Sequence, residues 1–205
     1  MNKDLVEVVI FDLGNVILPF NHYQIAEKLS KFSMKQKDPK MIFSFLFDIE
    51  NGAINPYETG KISSLEFFQI IKKSLNLYIS FDEFKPIWNE IFWEDKEVSE
   101  ILSLIKGKKR LFLLSNTNPL HFNHILSKFP IIKIFERWIL SYEIGYKKPA
   151  PEIFQAAIKF SSIEPKRILF IDDTQKHVEV AISLGLRAIH FKSAQQLKED
   201  LSLFL

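Results

Sequence analysis

The sequence predicts an α/β protein in which a doubly wound parallel sheet carries an inserted block of helices. Three near-continuous apolar runs are typical of parallel strands that are covered on both faces, and helical patterns alternate with strands in the second half of the chain. Between the first and second runs lies a long helical and aromatic stretch without a convincing strand. A chain of 205 residues is long enough for one sizeable core with a smaller insert.

The strand predictions come from short runs rich in β-branched, aromatic and leucine residues. The clearest runs cover residues 5–11, 110–114 and 167–171, and each is followed directly by a polar residue. Residues 138–140 and 187–191 are weaker strand candidates.

Two helices are predicted among the later strands. In residues 152–160 and 175–184, apolar side chains recur at the spacing of one helix face. Gly185 follows the second helix at the position of a C-cap. This alternation of strands and helices is the pattern of a doubly wound sheet.

Residues 20–94 have a different character, because their apolar residues follow helical spacing and many are aromatic. Turns that contain proline or glycine divide this stretch into short helices. We therefore expect an α/β core domain from residues 1–17 and 95–205, and a small helical domain from residues 18–94. The aromatic stripes are most simply the core of the helical domain.

Composition and charge exclude several classes of protein. The chain has no cysteine, which excludes disulfides, a thiolate nucleophile and a cysteine-rich zinc site. A formal charge of +2 argues against an extended nucleic-acid surface. No apolar stretch approaches the roughly 18 to 20 residues that cross a bilayer, and residues 1–7 lack the pattern of a secretion signal. We expect a soluble, cytoplasmic protein without nucleic-acid or membrane partners.

Polar, chemically capable residues follow all three clear strands. They are Asp12 after the first strand, Ser115 and Asn116 after the second, and Asp172 and Asp173 after the third. Each one alone is a common turn or cap residue. In an open parallel sheet, however, the carboxyl ends of the strands form the edge where ligands bind. Three such sites on one edge therefore predict a functional site.

The charges in this group point to a divalent cation. Asp12, Asp172 and Asp173 would repel one another unless a cation bound them, and Mg²⁺ is the usual choice beside phosphate. Lys148 adds a positive charge on a loop that is stiffened by prolines. A carboxylate nucleophile, Mg²⁺, a lysine and amide donors together describe phosphoryl transfer through an aspartyl-phosphate.

Four segments carry a resemblance to a known family. Residues 9–17, 114–118, 147–154 and 170–173 resemble, in order and separation, the four motifs of the haloacid dehalogenase superfamily of hydrolases, in its subfamily I. The residues of these motifs are most similar to the branch that contains bacterial α-D-glucose-1-phosphate phosphatase and the phosphatase domain of soluble epoxide hydrolase. Residues 58–63 are also similar to the cap of that branch. The resemblance implies a Rossmann-like core with a helical cap domain and a small phosphorylated metabolite as substrate.

The resemblance also implies roles for the acidic residues. Asp12 would be the nucleophile and a metal ligand, and the backbone carbonyl of Gly14 would bind Mg²⁺. Asp172 and Asp173 would complete the protein ligands of the metal.

The remaining roles concern the phosphoryl group. Ser115 and Asn116 would hold its oxygens, and Lys148 would orient Asp12 and offset charge in the transition state. Lys147 is the rival for the lysine role, but Lys148 directly precedes Pro149, as the motif requires.

Two positions depart from the usual pattern of the superfamily. Most of its phosphatases have a second aspartate two residues after the nucleophile, where this chain has Gly14. Because loss of a general acid commonly lowers the rate on the order of 10²- to 10⁴-fold, our hypothesis is a substrate with a good leaving group, such as an anomeric sugar phosphate. His177 stands where relatives usually have asparagine, and we expect it to hydrogen-bond a metal ligand.

Two other functions remain open. A 2-haloacid dehalogenase also uses an aspartate nucleophile and lacks the second aspartate, but its fourth motif has serine and asparagine where this chain has Asp172 and Asp173. A binding protein with the same fold and little activity is the other alternative, favoured by Gly14.

Further residues are candidates for lesser roles. Asn21, His22, Tyr23 and residues 50–57 are candidate contacts for the leaving group. His121 and His124 are expected at the start of a surface helix and not as a pair of metal ligands.

Overall fold

Five parallel strands form one sheet, in the order β3-β2-β1-β4-β5. Their bounds are β1 (Val8–Phe11), β2 (Arg110–Ser115), β3 (Arg137–Leu140), β4 (Ile168–Asp172) and β5 (Arg187–His190). The computed structural model describes residues 6–204. Residues 1–5 and 205 lie outside it, including the predicted strand start at residue 5 and most of the segment compared with a secretion signal. The predicted fold class is confirmed, and so are both weaker strand candidates.

Helices cover the sheet and form the insert. The insert has α1 (Tyr23–Phe32), α2 (Pro39–Phe47), α3 (Asn55–Glu58), α4 (Ser64–Leu75) and α5 (Phe81–Asn89). The later helices are α6 (Lys96–Ile105), α7 (Pro119–Lys128), α8 (Ser141–Ile144), α9 (Pro151–Ser161), α10 (Gln175–Ser183) and α11 (Ala194–Leu201). The two helices predicted beside the later strands correspond to α9 and α10, and Gly185 follows α10 with a φ of 85°.

The strand register brings the predicted site residues to one edge of the sheet. Phe11 is paired with Leu113 on one side and with Ile171 on the other. Asp12 continues this pattern, since its N–H donates to the Ile171 carbonyl over 2.9 Å. The residues that follow β1, β2 and β4 therefore leave the sheet at the same edge.

Both faces of the sheet are buried against helices. Along β1, Val9 and Phe11 belong to one hydrophobic cluster, whereas Val8 and Ile10 belong to the cluster on the opposite face. Burial on both sides explains why the strands have nearly continuous apolar sequences instead of alternating ones.

The helices α1–α5 share a hydrophobic cluster of their own. Its largest fully buried side chains are Trp88, Tyr57, Phe67 and Phe84. The helix starts are encoded locally. Ser63 with Glu66, and Ser80 with Glu83, form capping boxes that satisfy the first N–H groups of α4 and α5.

Within residues 6–204, every helix is too short or too polar to cross a membrane. The cytoplasmic location stays a prediction.

Candidate active site

Three carboxylates meet at the carboxyl edge of the sheet. Oxygens of Asp12, Asp172 and Asp173 all lie within 4.8 Å of one another. Asp12 follows β1 directly, and Asp172 is the last residue of β4, so adjacent strands bring them together. Asp12 and Asp172 are buried, and Asp173 is half-buried.

Lys148 lies between two of these carboxylates. Its Nζ is 2.8 Å from Asp12 Oδ1 and 2.6 Å from Asp172 Oδ2, and only 1% of its side chain is exposed. A buried ammonium group needs compensating charge, and the two aspartates provide it. Of the two adjacent lysines, Lys148 is the one that the structure places at the carboxylates.

Burial and charge shift the pKa values of this cluster in opposite directions. Burial, together with the nearby charges of Asp172 and Asp173, raises the pKa of Asp12 to about 7 against the opposing effect of Lys148. Burial also raises the pKa of Asp172, but Lys148 and His177 outweigh it and bring the value to about 2. The pKa of Lys148 is raised, because the attraction of Asp12 and Asp172 exceeds the effect of burial.

The donor set fits a hard divalent cation. Three carboxylates face a single lysine, so the cluster has an excess of negative charge that a dication would balance. The predicted fourth ligand is the carbonyl of Gly14. Within residues 6–204, no donor bonds this carbonyl, although the turn around it is tightly hydrogen-bonded from Leu13 to Leu18.

Asn116 holds the loop of Lys148. Its Oδ1 accepts from the Lys148 N–H over 2.7 Å, and its Nδ2 donates to the Lys148 carbonyl over 2.9 Å. The amide is thus engaged by protein, which leaves the backbone N–H of Asn116 as its group for a phosphoryl oxygen. The Ser115 hydroxyl makes only a long 3.4 Å contact with the Asn116 carbonyl, so it remains available as a donor to a ligand.

Two histidines support the acidic pair at the end of β4. Nδ1 of His177, in the first turn of α10, lies 2.9 Å from Asp172 Oδ1, which matches the contact expected for it. Nε2 of His190 lies 2.9 Å from the carbonyl oxygen of Asp173. Sequence reasoning missed His190, because only the pairing of β4 with β5 places it beside Asp173.

Phe20 occupies the space beside Gly14. A Cβ atom built on Gly14 would lie 2.6 Å from Cε1 of Phe20. The place where a side chain of residue 14 would begin is therefore filled by an aromatic ring from the chain segment that leads into the insert.

Aromatic rings continue from Phe20 toward the joint between insert and sheet. His22 lies 4.4 Å from Phe20 and stacks on Phe47 at 4.4 Å, as measured between ring centroids. His121 stacks on Trp88 at 5.0 Å and is only 3% exposed. The expectation of a surface position for His121 is therefore wrong, because Asn118 and the Trp88 carbonyl bind both of its ring nitrogens.

Comparison with known proteins identifies the family. A family model described as haloacid dehalogenase-like hydrolase matches residues 6–185. The chain belongs to this family. The predicted resemblance and the assignment as a hydrolase are thereby confirmed, whereas subfamily I and the glucose-1-phosphate branch stay predictions.

Two relatives of this haloacid dehalogenase-like hydrolase are named for the hydrolysis of small phosphate esters. D-ribitol-5-phosphate phosphatase from Bacteroides thetaiotaomicron is 27% identical, over 98% of this chain and 99% of the relative. Flavin mononucleotide hydrolase 1 from Arabidopsis thaliana is 25% identical, over 98% of this chain and 78% of the relative.

A solved structure of a family enzyme from Bacteroides thetaiotaomicron contains magnesium and inorganic phosphate. It is 28% identical, with a TM-score of 0.81 over 91% of this chain and 94% of that one. Magnesium in this relative, together with the buried aspartates of this chain, bears out the prediction of Mg²⁺ as the cofactor.

Proposed function

We propose that this hydrolase is a Mg²⁺-dependent phosphatase that cleaves small phosphomonoesters through an aspartyl-phosphate on Asp12. The observation that carries the proposal is the buried Lys148 ammonium between Asp12 and Asp172, with Asp173 in the same cluster of oxygens. Phosphatase names among the relatives support it.

In this mechanism the Asp12 carboxylate attacks phosphorus, and the bond from phosphorus to the leaving oxygen breaks. Lys148 holds Asp12 Oδ1, and its charge favours the ionised nucleophile. Leu13 N–H donates to the same oxygen over 2.6 Å, which leaves Oδ2 as the oxygen that these contacts do not engage. Water then attacks phosphorus, the bond from phosphorus to Asp12 breaks, and inorganic phosphate leaves while the Asp12 carboxylate is restored. The departing alkoxide takes its proton from solvent.

The cation and the amide donors would serve the phosphoryl group. Asp12, Asp172, Asp173 and the Gly14 carbonyl would hold Mg²⁺, which supplies charge neutralisation for the phosphoryl oxygens. The Ser115 hydroxyl and the Asn116 N–H would bind the remaining oxygens. His177 would keep Asp172 oriented toward Lys148.

The substrate proposal rests on two arguments. Gly14 provides no acid for the leaving oxygen, which favours a good leaving group such as that of a hexose 1-phosphate. The two named relatives favour another ester, because ribitol 5-phosphate and flavin mononucleotide share a ribityl chain with a terminal phosphate. Both arguments lead to a phosphate ester with a polyhydroxylated leaving group.

We further propose that residues 18–94 act as the cap domain over a core of residues 1–17 and 95–205. The separate hydrophobic cluster of α1–α5 supports this division. His22, which precedes α1, contacts the ring of Phe20 beside Gly14, and we propose it as a contact for the leaving group.

The test is hydrolysis of p-nitrophenyl phosphate with and without Mg²⁺, in the wild type and in Asp12→Asn. We expect metal-dependent turnover that falls to background in the variant, because the amide cannot form the acyl-phosphate. Asp82→Asn, which changes an exposed carboxylate of α5, is the matched control and should keep full activity.

Other outcomes would favour the alternatives. Turnover that persists in Asp12→Asn would contradict the proposal. Halide release from 2-chloropropionate without metal would identify a dehalogenase. Ligand binding by folded protein without turnover would identify a binding protein.

A further inference from the structure

The adjacent residues Lys147 and Lys148 reach in opposite directions. Lys148 contacts the catalytic carboxylates, whereas Nζ of Lys147 contacts the insert. There it donates to Asn55 Oδ1 and lies 3.3 Å from Glu58 Oε2. Both partners belong to α3, so one lysine joins α3 to the loop that carries Lys148.

This ion pair is more protected from water than a typical surface pair. Only 13% of the Glu58 side chain and 29% of the Lys147 side chain are exposed. Burial raises the pKa of Glu58, and Lys147 opposes that shift. Surface ion pairs contribute little to stability, but a partly buried carboxylate that loses its partner is left without compensation.

The backbone of the loop that carries the two lysines is held by several contacts. The Lys148 backbone is held at both its N–H and its carbonyl by Asn116. The Lys147 carbonyl accepts from the Ala150 N–H over 2.9 Å, and Pro149 and Pro151 restrict the following backbone. A displacement of Lys147 therefore strains the segment that places Lys148.

The region around α3 also contacts the core at two other points. The Tyr57 hydroxyl accepts from the Leu120 N–H over 3.2 Å. Gly60, with a φ of 67°, packs against the Tyr142 carbonyl so closely that it leaves no space for a side chain. The Lys147 contact thus joins these two in seating the region around α3 on the core, and of the three it is the one beside Lys148.

We propose that Lys147 is a positioning residue that ties α3 of the insert to the catalytic loop and thereby sets the placement of Lys148. The proposal rests on the proposed function, because it assigns Lys148 a role in phosphoryl transfer. Lys147 itself touches neither Asp12 nor Asp172 in this arrangement, so it acts through its neighbour.

The test compares kcat and KM for p-nitrophenyl phosphate in Lys147→Met, Lys147→Arg, Glu58→Gln and the double variant Lys147→Met/Glu58→Gln. A misplaced Lys148 should lower kcat in Lys147→Met by roughly 10- to 100-fold, since small displacements of catalytic groups are costly. Lys147→Arg should retain most of the rate. The double variant should be no slower than Lys147→Met, because that change already removes the contact that Glu58→Gln weakens.

The control is Lys61→Met, which removes an exposed lysine of the insert and should leave kcat unchanged. Additive losses in the double variant, or an unchanged kcat in Lys147→Met, would overturn the proposal. A loss that Lys147→Arg fails to restore would also overturn it.

Amide hydrogen exchange separates this proposal from the function on which it rests. In Lys147→Met, protection should fall in residues 55–60 and 146–150 and be restored by Lys147→Arg, whether or not the protein turns over phosphate. Unchanged protection would contradict the tie between α3 and the loop. Absence of turnover in the wild type would contradict the phosphatase proposal alone.

Discussion

The side chain of His190 contacts the backbone carbonyl of Asp173, just beyond the point where β4 stops pairing with β5. The ladder of β4 and β5 ends with the Phe191 N–H donating to the Asp172 carbonyl over 2.9 Å. The next carbonyl along the chain, that of Asp173, lies 2.9 Å from Nε2 of His190. His190 therefore fixes the peptide that presents the third carboxylate of the cluster.

We expect His190→Leu to weaken Mg²⁺ binding roughly 10- to 100-fold, as is common when a residue that orients a metal ligand is lost. The measurement is the Mg²⁺ concentration that gives half of the maximal rise in Tm, which needs no substrate. His190→Gln, which keeps an N–H donor, is the matched control. Equal Mg²⁺ titrations of wild type and His190→Leu would show that His190 does not support the metal site.

At the residue scale, the sequence was sufficient to place those site residues whose position follows from the end of a strand. Asp12, Asp172 and Asp173 could be placed on one edge because each follows a strand. His190 and Phe20 could not, because their contacts depend on the register of β5 and on the path of the chain after Gly14. The amide of Asn116 was expected on a ligand, and it is bonded to the Lys148 backbone.

At the element scale, the residue before α1 meets α2, α5 and α7 through stacked rings, two of which are the histidines His22 and His121. Burial lowers the pKa of His22 from 6.5 to about 4. Burial also lowers the pKa of His121 well below its usual value, and the proximity of His22 lowers it further. Both rings are thus neutral in the folded protein at neutral pH, which suits their stacking on Phe47 and Trp88.

This arrangement predicts a loss of stability in acid. Below pH 6.5 the unfolded chain binds a proton at His22 that the folded protein does not bind until about pH 4, so the free energy of unfolding falls across that interval. His22→Phe keeps an aromatic ring but loses the titrating group. Its urea midpoint should therefore fall less steeply than that of the wild type between these pH values.

The control for this prediction is Ile25→Val, which loosens the same cluster without removing a proton site. Its urea midpoint should be lower than that of the wild type at every pH, but it should change with pH as steeply as in the wild type. Parallel curves for His22→Phe and wild type would show that the pKa of His22 is the same in the folded and the unfolded protein.

Elements differed in how far local sequence specified them. The capping boxes at Ser63 and Ser80 mark the starts of α4 and α5, and apolar runs mark β1, β2 and β4. Among the described residues, β1 begins at Val8, although the Glu7 N–H already donates to the Arg167 carbonyl and the Glu7 carbonyl accepts from the Arg110 N–H. The four-residue helices α3 and α8 carry no periodic signal, although α3 holds both partners of Lys147.

At the scale of the whole molecule, the sheet with its loops and the inserted helices contribute different parts of the site. The carboxyl edge of the sheet supplies the carboxylates, the loop before α9 supplies Lys148, and the insert supplies Phe20 beside Gly14 and the partners of Lys147. Residue 14 is a glycine and offers no proton donor, and Phe20 fills the space where a side chain of that residue would begin. In the proposed mechanism, the molecule therefore stabilises the phosphoryl group but lacks the usual acid for the leaving oxygen.

The final prediction concerns this imbalance. Across aryl phosphates of graded leaving-group pKa, log kcat/KM should fall steeply as that pKa rises, because the departing oxygen leaves without a proton from residue 14. A hexose 1-phosphate should accordingly react faster than ribitol 5-phosphate, whose alcohol is the poorer leaving group. The measurement is kcat/KM for each ester at saturating Mg²⁺, with Asp12→Asn as the blank. A flat profile with ribitol 5-phosphate as the better substrate would mean that another group, from the substrate or the cap, protonates the leaving oxygen.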